Sequence, residues 1–433
     1  MHSQKNGFAG VDIPSDDILT NCMHCGLCLP TCPTYSLTGR EKSSPRGRIR
    51  LIKSVAEGKL DLTQGFIDEM NFCLDCQACE TACPAGVKYG SLVESARNQI
   101  RIAGKESFGE QILKKIFLRK IFAHKMLLKF TARMLRVYQQ YGVERLLKST
   151  KVLMLFFPRL SRLQELSPRI SSKFFDDSFA EIVKPNGEIK YRVGLLSGCL
   201  MNVAFGNINE DTVKVLLHHG CEVVIPKEQV CCGSIQGHNG DFDTARLLAK
   251  KNIDVFLKSN PDAIIMNSSG CGAYMKEYGS LFQNYPEYSE KAKRLAFLVK
   301  DFSEFLYEIG MQRPKTRFPH RVTYHDACHL IHTQKISLQP RELLRSIPGI
   351  QYIELYEASW CCGSAGLYNV IRYDDSMKIL ERKISNLHAA DAEYIVANNH
   401  GCILQIEHGC RANGIQAHVL HIASLLRAVY HLE

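Results

Sequence analysis

Four cysteines, Cys22, Cys25, Cys28 and Cys32, follow one another at the steps C-x2-C-x2-C-x3-C, and Pro33 closes the run. The same run recurs at Cys73, Cys76, Cys79 and Cys83, closed by Pro84. Thiolates are soft anionic ligands, and three of them at two-residue gaps wrap a loop of chain around three corners of an iron–sulfur cube. The fourth lies too far along to close the same cube and reaches the neighbouring one, as this motif type does. The spacing therefore predicts two [4Fe–4S] centres. One rests on Cys22, Cys25, Cys28 and Cys83, the other on Cys73, Cys76, Cys79 and Cys32. The chemistry of such groups is one-electron transfer. Zinc prefers C-x2-C pairs split by a longer loop, and disulfide frameworks belong to small secreted domains.

A second cysteine pattern occupies the C-terminal half. Cys199, the Cys231-Cys232-Gly233 turn and Cys271 are repeated as Cys328, Cys361-Cys362-Gly363 and Cys402, each about 130 residues further on. So regular a separation marks an internal duplication. Four cysteines per copy, gathered from three loops, suit zinc or iron–sulfur equally. They also suit a buried structural cluster, since free cysteines pack well in cores. Cys221 and Cys410 have no counterpart in the opposite copy and read as core residues. His325 and His329 flank Cys328 and read as metal ligands, as groups orienting the ligands, or as surface histidines. Leu196 and Leu200 hold their places in the first copy.

The elements that position these residues follow from periodicity. Arg48 to Glu57 and Leu92 to Ile102 read as helices around the first cysteine loops, with Gly58 as a stop signal. Val193–Leu196, Ala263–Met266, Val322–Tyr324 and Tyr394–Ala397 are β-branched or apolar runs. Helical patterns lie between them at Asp243–Leu257 and Asp375–Leu387. Strands alternating with helices predict small parallel α/β units, with the cysteines at the carboxyl ends of strands, where open α/β sheets place ligands. The expected organisation is a helical two-cluster domain over 1–100, a basic helical connector and linker over 101–190, and two α/β units over 191–318 and 319–433. Pro158, Pro168 and Pro185 punctuate the linker.

The 433 residues are 45% hydrophobic and 23% charged, an ordinary globular balance, with 18 cysteines and a net charge of +10. The charge is local: 16 Lys/Arg stand against 4 Asp/Glu between Arg101 and Arg169. That basic segment, helical in pattern up to Phe157, fits an anionic membrane surface, a docking face for a partner subunit, or a solvated connector. It has no nucleic-acid reader motif and little aromatic interleaving, so no nucleic-acid partner is expected. Met1 to Asp17 shows no signal-peptide pattern, and the longest apolar run, Val152 to Phe157, is far short of a bilayer span. The expected location is the cytoplasm, where thiols stay free for metal.

The doubled ferredoxin-type run, the Ser44-Pro45-Arg46-Gly47-Arg48 segment, the two CCG units and the Tyr324-His325-Asp326-Ala327-Cys328-His329 string together resemble the iron–sulfur subunits of bacterial glycolate oxidase. The likeness covers nearly the whole chain. It implies a multi-subunit oxidoreductase in which a partner flavoprotein, carrying FAD, oxidises glycolate to glyoxylate. This chain would take electrons from the flavin towards a membrane quinone, at the inner face of the plasma membrane. The absence of a G-x-G-x-x-G fingerprint or Walker A run fits a chain that leaves two-electron chemistry to a partner. Related architectures occur in anaerobic glycerol-3-phosphate dehydrogenase, lactate-utilisation proteins and heterodisulfide reductases. A reading from another class is a zinc-stabilised interaction scaffold.

Some CCG domains end in C-x2-C and use a fifth cysteine. Tyr274 and Gln405 stand there in this chain, so zinc, a further iron–sulfur cluster and no metal all stay open at Cys199, Cys231, Cys232 and Cys271 and at Cys328, Cys361, Cys362 and Cys402. Arg46 and Arg48 are candidates for donors near a cluster, where hydrogen bonds raise the potential, or for a solvated turn. Met23 and His24 are expected to pack against the first centre.

Overall fold

The computed structural model describes residues 7–150 and 155–432. The N-terminal part is helical. Ser44 accepts a hydrogen bond from Gly47 N–H and caps the Pro45–Ala56 helix, with Pro45 at its first position. The Ser-Pro-Arg-Gly-Arg segment is thus a helix start: a capping hydroxyl, then a proline whose missing N–H costs nothing there. Gly47 is required because a Cβ would lie 1.9 Å from the Glu41 carbonyl oxygen. Helices Gln64–Phe72 and Tyr89–Ile102 complete the domain. Ile52, Val55, Met70, Leu92 and Val93 are fully buried between them.

The C-terminal half holds two sheets. Strands β1 (Ile182–Val183), β2 (Tyr191–Leu195), β3 (Cys221–Val224), β4 (Ala263–Met266) and β5 (Val299–Asp301) form the first, in the order β1-β3-β2-β4-β5. Strands β6 (Arg321–His325), β7 (Gln351–Ile353), β8 (Tyr394–Ala397) and β9 (His418–His421) form the second, in the order β7-β6-β8-β9. Apart from antiparallel β1, all pairings are parallel. The order β3-β2-β4-β5 maps onto β7-β6-β8-β9, so the duplication in sequence is a duplication in topology. The mixed α/β class with parallel sheets and a helical N-terminal region is as the sequence predicts.

The two copies share one core. Val193 and Leu195 of β2, Val322 and Tyr324 of β6, Phe302, Ile422 and Leu426 are buried in a single apolar cluster. Polar groups stitch the same seam: Asn398 Nδ2 donates to Asp301 Oδ1 (3.1 Å) and Ser268 Oγ donates to Asn399 Oδ1 (3.2 Å).

The basic connector is helical as expected, in pieces: Phe108–Lys114, a π-helical turn at Lys115–Ile121, Lys125–Gln140 and Val143–Ser149. Residues 152–154 of the apolar run at 152–157 lie outside the described residues. Pro158 starts the helix Pro158–Glu165 rather than breaking the chain, because proline is well placed at a first helical position. On Lys125–Gln140, Leu128 and Ala132 are buried against Phe174 and Val203. Met126, Phe130, Met134 and Val137 on its other side are exposed.

Candidate metal centres

Cys22, Cys25, Cys28 and Cys83 line one cavity, whose wall includes Pro45, Arg46 and Ile49. Three thiols of the first run thus share a space with Cys83, the last thiol of the second, and Cys79 also lines it. Met23 and His24 also line it. Gly26, at φ +86°, lets the loop pass close to the Arg46 guanidinium. Arg46 Nη1 donates to the His24 carbonyl (2.9 Å) and Nε to Glu41 (2.6 Å), tying the helix start to the first cysteine loop. Burial raises the Cys28 thiol, against the Arg46 backbone amide, which lowers it.

Cys32 does not line that cavity. It is buried, with Sγ 3.3 Å from Thr34 Oγ1. Burial, followed by the proximity of Cys76, Cys73 and Cys32, pushes the Cys79 thiol well up. Those four sulfurs therefore share one neighbourhood. Donors converge on it: Asp75 N–H reaches Cys73 Sγ at 3.3 Å and Tyr89 Oη at 3.5 Å. Arg48 is no solvated turn residue. It is wholly buried, with Nε on the Glu69 carbonyl (2.8 Å) and both terminal nitrogens 3.1 Å from Thr34 Oγ1. Burial disfavours its charge, but Tyr89, Cys73, Cys32 and Glu69 around it keep the guanidinium protonated.

In the first copy Cys199, Cys231, Cys232 and Cys271 form a continuous chain of thiols within hydrogen-bonding reach. Cys199 follows β2, Cys271 sits in the Ser269–Lys276 helix after β4, and the Cys-Cys-Gly turn joins them, with Gly233 at φ +86°. Hydrogen bonds from Cys199 and Cys232 pull Cys231 well down, and the same contacts push Cys199 and Cys232 up. Packed sulfurs cannot all ionise without a cation, and a soft metal is what such a donor set fits. The second copy repeats the pattern. Cys362 is pulled down by Cys361 and Cys402, and Cys402 is pushed up. Cys221 and Cys410 are buried in apolar cores, Cys221 in the one the two copies share and Cys410 in the cluster that also holds Cys362 and Cys402.

Three relationships were not readable from sequence. The Cys76 and Cys361 thiols are within hydrogen-bonding reach of each other. The second N-terminal cysteine loop docks on the segment after Cys328: His329 Nε2 meets the Asp75 carbonyl (2.9 Å) and Thr333 Oγ1 donates to Gln77 (2.6 Å). On its other side, His238 lies between Glu94 and Asp75. There Arg97 Nη1 donates to the His238 carbonyl (2.7 Å), and Gly240 comes so near that a Cβ would be 2.5 Å from Arg97 backbone. The one available signal was the loop composition itself, rich in Asp, Gln and Thr among the cysteines.

A helical domain with a doubled cysteine run, followed by two Cys-Cys-Gly α/β units, defines an iron–sulfur protein of the dicluster type with paired cysteine-rich domains. Family models agree: a 4Fe-4S dicluster domain matches residues 18–87, and the cysteine-rich domain matches twice, at 193–276 and 322–407. The linker region of the glycolate oxidase iron-sulfur subunit matches 109–167. A probable glycolate oxidase iron-sulfur subunit of Bacillus subtilis (strain 168) is 39% identical over 413 residues, covering 94% of this chain and 93% of that one. The glycolate oxidase iron-sulfur subunit of Escherichia coli (strain K12) is 32% identical, covering 90% of each chain. A lactate utilization protein A of Oceanobacillus iheyensis is 30% identical over 54% of this chain and 96% of its own. A solved structure, a hypothetical protein from Helicobacter pylori, aligns at 11% identity with a TM-score of 0.44, over 60% of this chain and 54% of that one. This chain belongs to the glycolate oxidase iron–sulfur subunit family.

Proposed function

We propose that the chain is the electron-transfer subunit of a flavin-dependent glycolate dehydrogenase. It takes electrons from an FAD-bearing partner that oxidises glycolate to glyoxylate and delivers them towards a membrane quinone. The observation that carries this is the full-length likeness to glycolate oxidase iron-sulfur subunits, through the linker as well as the cysteine domains. Bound to the two N-terminal cysteine sets, [4Fe–4S] groups supply one-electron transfer.

The residues divide the work. Cys22, Cys25, Cys28 and Cys83 hold the first centre, and Cys73, Cys76, Cys79 and Cys32 the second. Asp75 N–H and Tyr89 Oη, aimed at Cys73, spread its sulfur charge and favour the reduced state. Arg48 brings a fixed positive charge to the same side. The Cys76–Cys361 contact supports a role for the second C-terminal cysteine set beside this centre, as an extension of the route or the wall of an acceptor site. The exposed apolar stripe Met126, Phe130, Met134 and Val137, with exposed Lys115, Lys120 and Arg133 nearby, supports a peripheral seat on an anionic membrane. No helix among the described residues is long and apolar enough to cross a bilayer.

The test is reduction by substrate. The chain is isolated without oxygen, mixed with its flavoprotein partner, and given glycolate. Glycolate should produce the paramagnetic signal of reduced clusters only when the partner is present. Reduction by lactate or glycerol 3-phosphate but not by glycolate would reassign the complex.

A further inference from the structure

We propose that His238 sets the reduction potential of the centre on Cys73, Cys76, Cys79 and Cys32, acting as the cation that faces Asp75 inside its cysteine loop. The inference rests on the reading of those four cysteines as an iron–sulfur site and adds a positioning residue from outside their domain. Asp75 stands between Cys73 and Cys76 and is buried. Its backbone is in the left-handed region, at φ +56°, with its N–H on Cys73 Sγ at 3.3 Å. A carboxylate held there opposes the arrival of an electron, since net charge beside the sulfurs helps to set the potential. His238 answers that charge. Its Nδ1 lies 3.4 Å from Asp75 Oδ2 and donates to a Glu94 carboxylate oxygen. Burial disfavours a charged imidazole, but Glu94 and Asp75 outweigh burial and raise its pKa to about 10. The ring is therefore an imidazolium at neutral pH.

The first α/β unit brings this charge to a fixed place. Arg97 Nη1 donates to the His238 carbonyl (2.7 Å), and Arg97 Nη2 donates to the Cys73 carbonyl (2.5 Å). One guanidinium thus ties the His238 backbone to the cysteine loop. Arg97 also stands 3.8 Å from Asp75 Oδ2, a longer approach than that of His238. The Tyr274 ring packs edge-on against the imidazole, with centroids 5.5 Å apart. Tyr274 is at the position where some CCG domains carry a fifth cysteine, and a Cβ on Gly237 would lie 2.0 Å from its hydroxyl oxygen, so the wall is closed on that side. The duplication supplies a contrast. The Cys-Cys-Gly turns are 130 residues apart, which makes Tyr368 the equivalent of His238. Tyr368 packs with Phe72, Leu74 and Cys76, on the same cysteine loop but among apolar neighbours. The two units clasp one loop with equivalent positions, one charged and one uncharged. Among the described residues, none of the first unit lines the cavity of Cys22, Cys25, Cys28 and Cys83, so the effect belongs to one centre.

The experiment is a redox titration of the full chain, isolated anaerobically and reduced chemically, with electron paramagnetic resonance reporting each centre. His238→Gln should lower the midpoint of the centre on Cys73, Cys76, Cys79 and Cys32. The expected fall is roughly tenfold or more in its reduction equilibrium, about 59 mV for one electron, with the other centre in place. Asp75→Asn should raise the same midpoint, since asparagine accepts the left-handed backbone there and removes only the charge. The double variant should lie between the two single ones, near the wild type. A midpoint unmoved or raised in His238→Gln, or equal shifts in both centres, would overturn the proposal. Should His238→Gln fail to fold, Asp75→Asn decides: a rise supports the charge pair, and an unchanged or lowered midpoint overturns it. A wild type with no reducible centre on these cysteines would sink the electron-transfer reading itself. Two reducible centres in the wild type, with unmoved variants, would sink only the role of His238.

Discussion

The thiols of Cys76 and Cys361 meet within hydrogen-bonding reach, although one belongs to the N-terminal cysteine loop and the other to the second Cys-Cys-Gly turn. This contact raises the Cys76 thiol more than burial does. It joins the second N-terminal set to the second C-terminal set, while Cys22, Cys25, Cys28 and Cys83 sit in a cavity lined by neither C-terminal set.

Replacing Cys361 by Ser should therefore shift the spectrum and potential of one N-terminal centre only, the one on Cys73, Cys76 and Cys79. Electron paramagnetic resonance during a redox titration separates the two. Equal shifts in both centres, or none, would mean that the contact has no electronic consequence.

Cys83→Ser tests the crossed pairing. The centre on Cys22, Cys25 and Cys28 should be lost or remodelled, with its neighbour kept. Iron content and the resonance spectrum report which of the two survives. Damage confined to the Cys73 set would reverse the assignment.

Arg48→Met removes the buried cation that faces Glu69 at 3.6 Å and holds Thr34 against Cys32. The carboxylate of Glu69 is then buried with Lys42 at 3.4 Å as its remaining cation and the Ser43 hydroxyl, which donates to it at 3.2 Å. Losing one partner of a buried pair costs about 3–5 kcal/mol. Anaerobic denaturant unfolding should show a midpoint lowered accordingly, with Arg48→Lys in between.

Ser substitutions at Met126, Phe130 and Met134 should leave the fold intact, because all three side chains are exposed. If the stripe enters a bilayer at roughly 1.5 kcal/mol or more per side chain, sedimentation with anionic vesicles should fall more than about tenfold. The residual binding should vanish at high salt. Equal binding of variant and wild type would remove the membrane reading.

Stability towards acid should depend on His421. Its Nδ1 accepts the Ala423 N–H (3.1 Å) and caps the last helix, and burial pushes its pKa down to about 3 from the ordinary 6.5. The folded state therefore binds fewer protons than the unfolded one, and stability is lost as pH falls from 6.5 towards 3. His421→Asn keeps a capping acceptor without the titration. The stability difference between wild type and variant should be flat above pH 6.5 and should move in the variant's favour below it.

The sequence carried the duplication and the central strands of both sheets, because each rests on local spacing. Ala263–Met266 and Tyr394–Ala397 are strands over the expected residues. The strands Cys221–Val224, between β1 and β2, and Gln351–Ile353, at the edge of the second sheet, were not expected; they are short and take their form from pairing with β2 and β6. His325 stood in view beside Cys328, but its burial and the approach of Cys362 depend on how β6 and the Cys-Cys-Gly turn pack. Asp75, Glu94 and His238 come from three separate elements and meet only through the docking of helix Tyr89–Ile102 on Gly240.

The apolar cluster that β2 and β6 bury jointly has a consequence for how this protein can change over time. Each α/β half has an apolar cluster of its own, but shortening the chain to a single unit would open the cluster they share and wet Leu195 or Tyr324. A large residue gained on one side of that seam must be answered by a smaller one opposite. The two halves are free to drift apart in the residues beside their cysteines, as Leu196 and His325 show, but they are bound to evolve their shapes as one body.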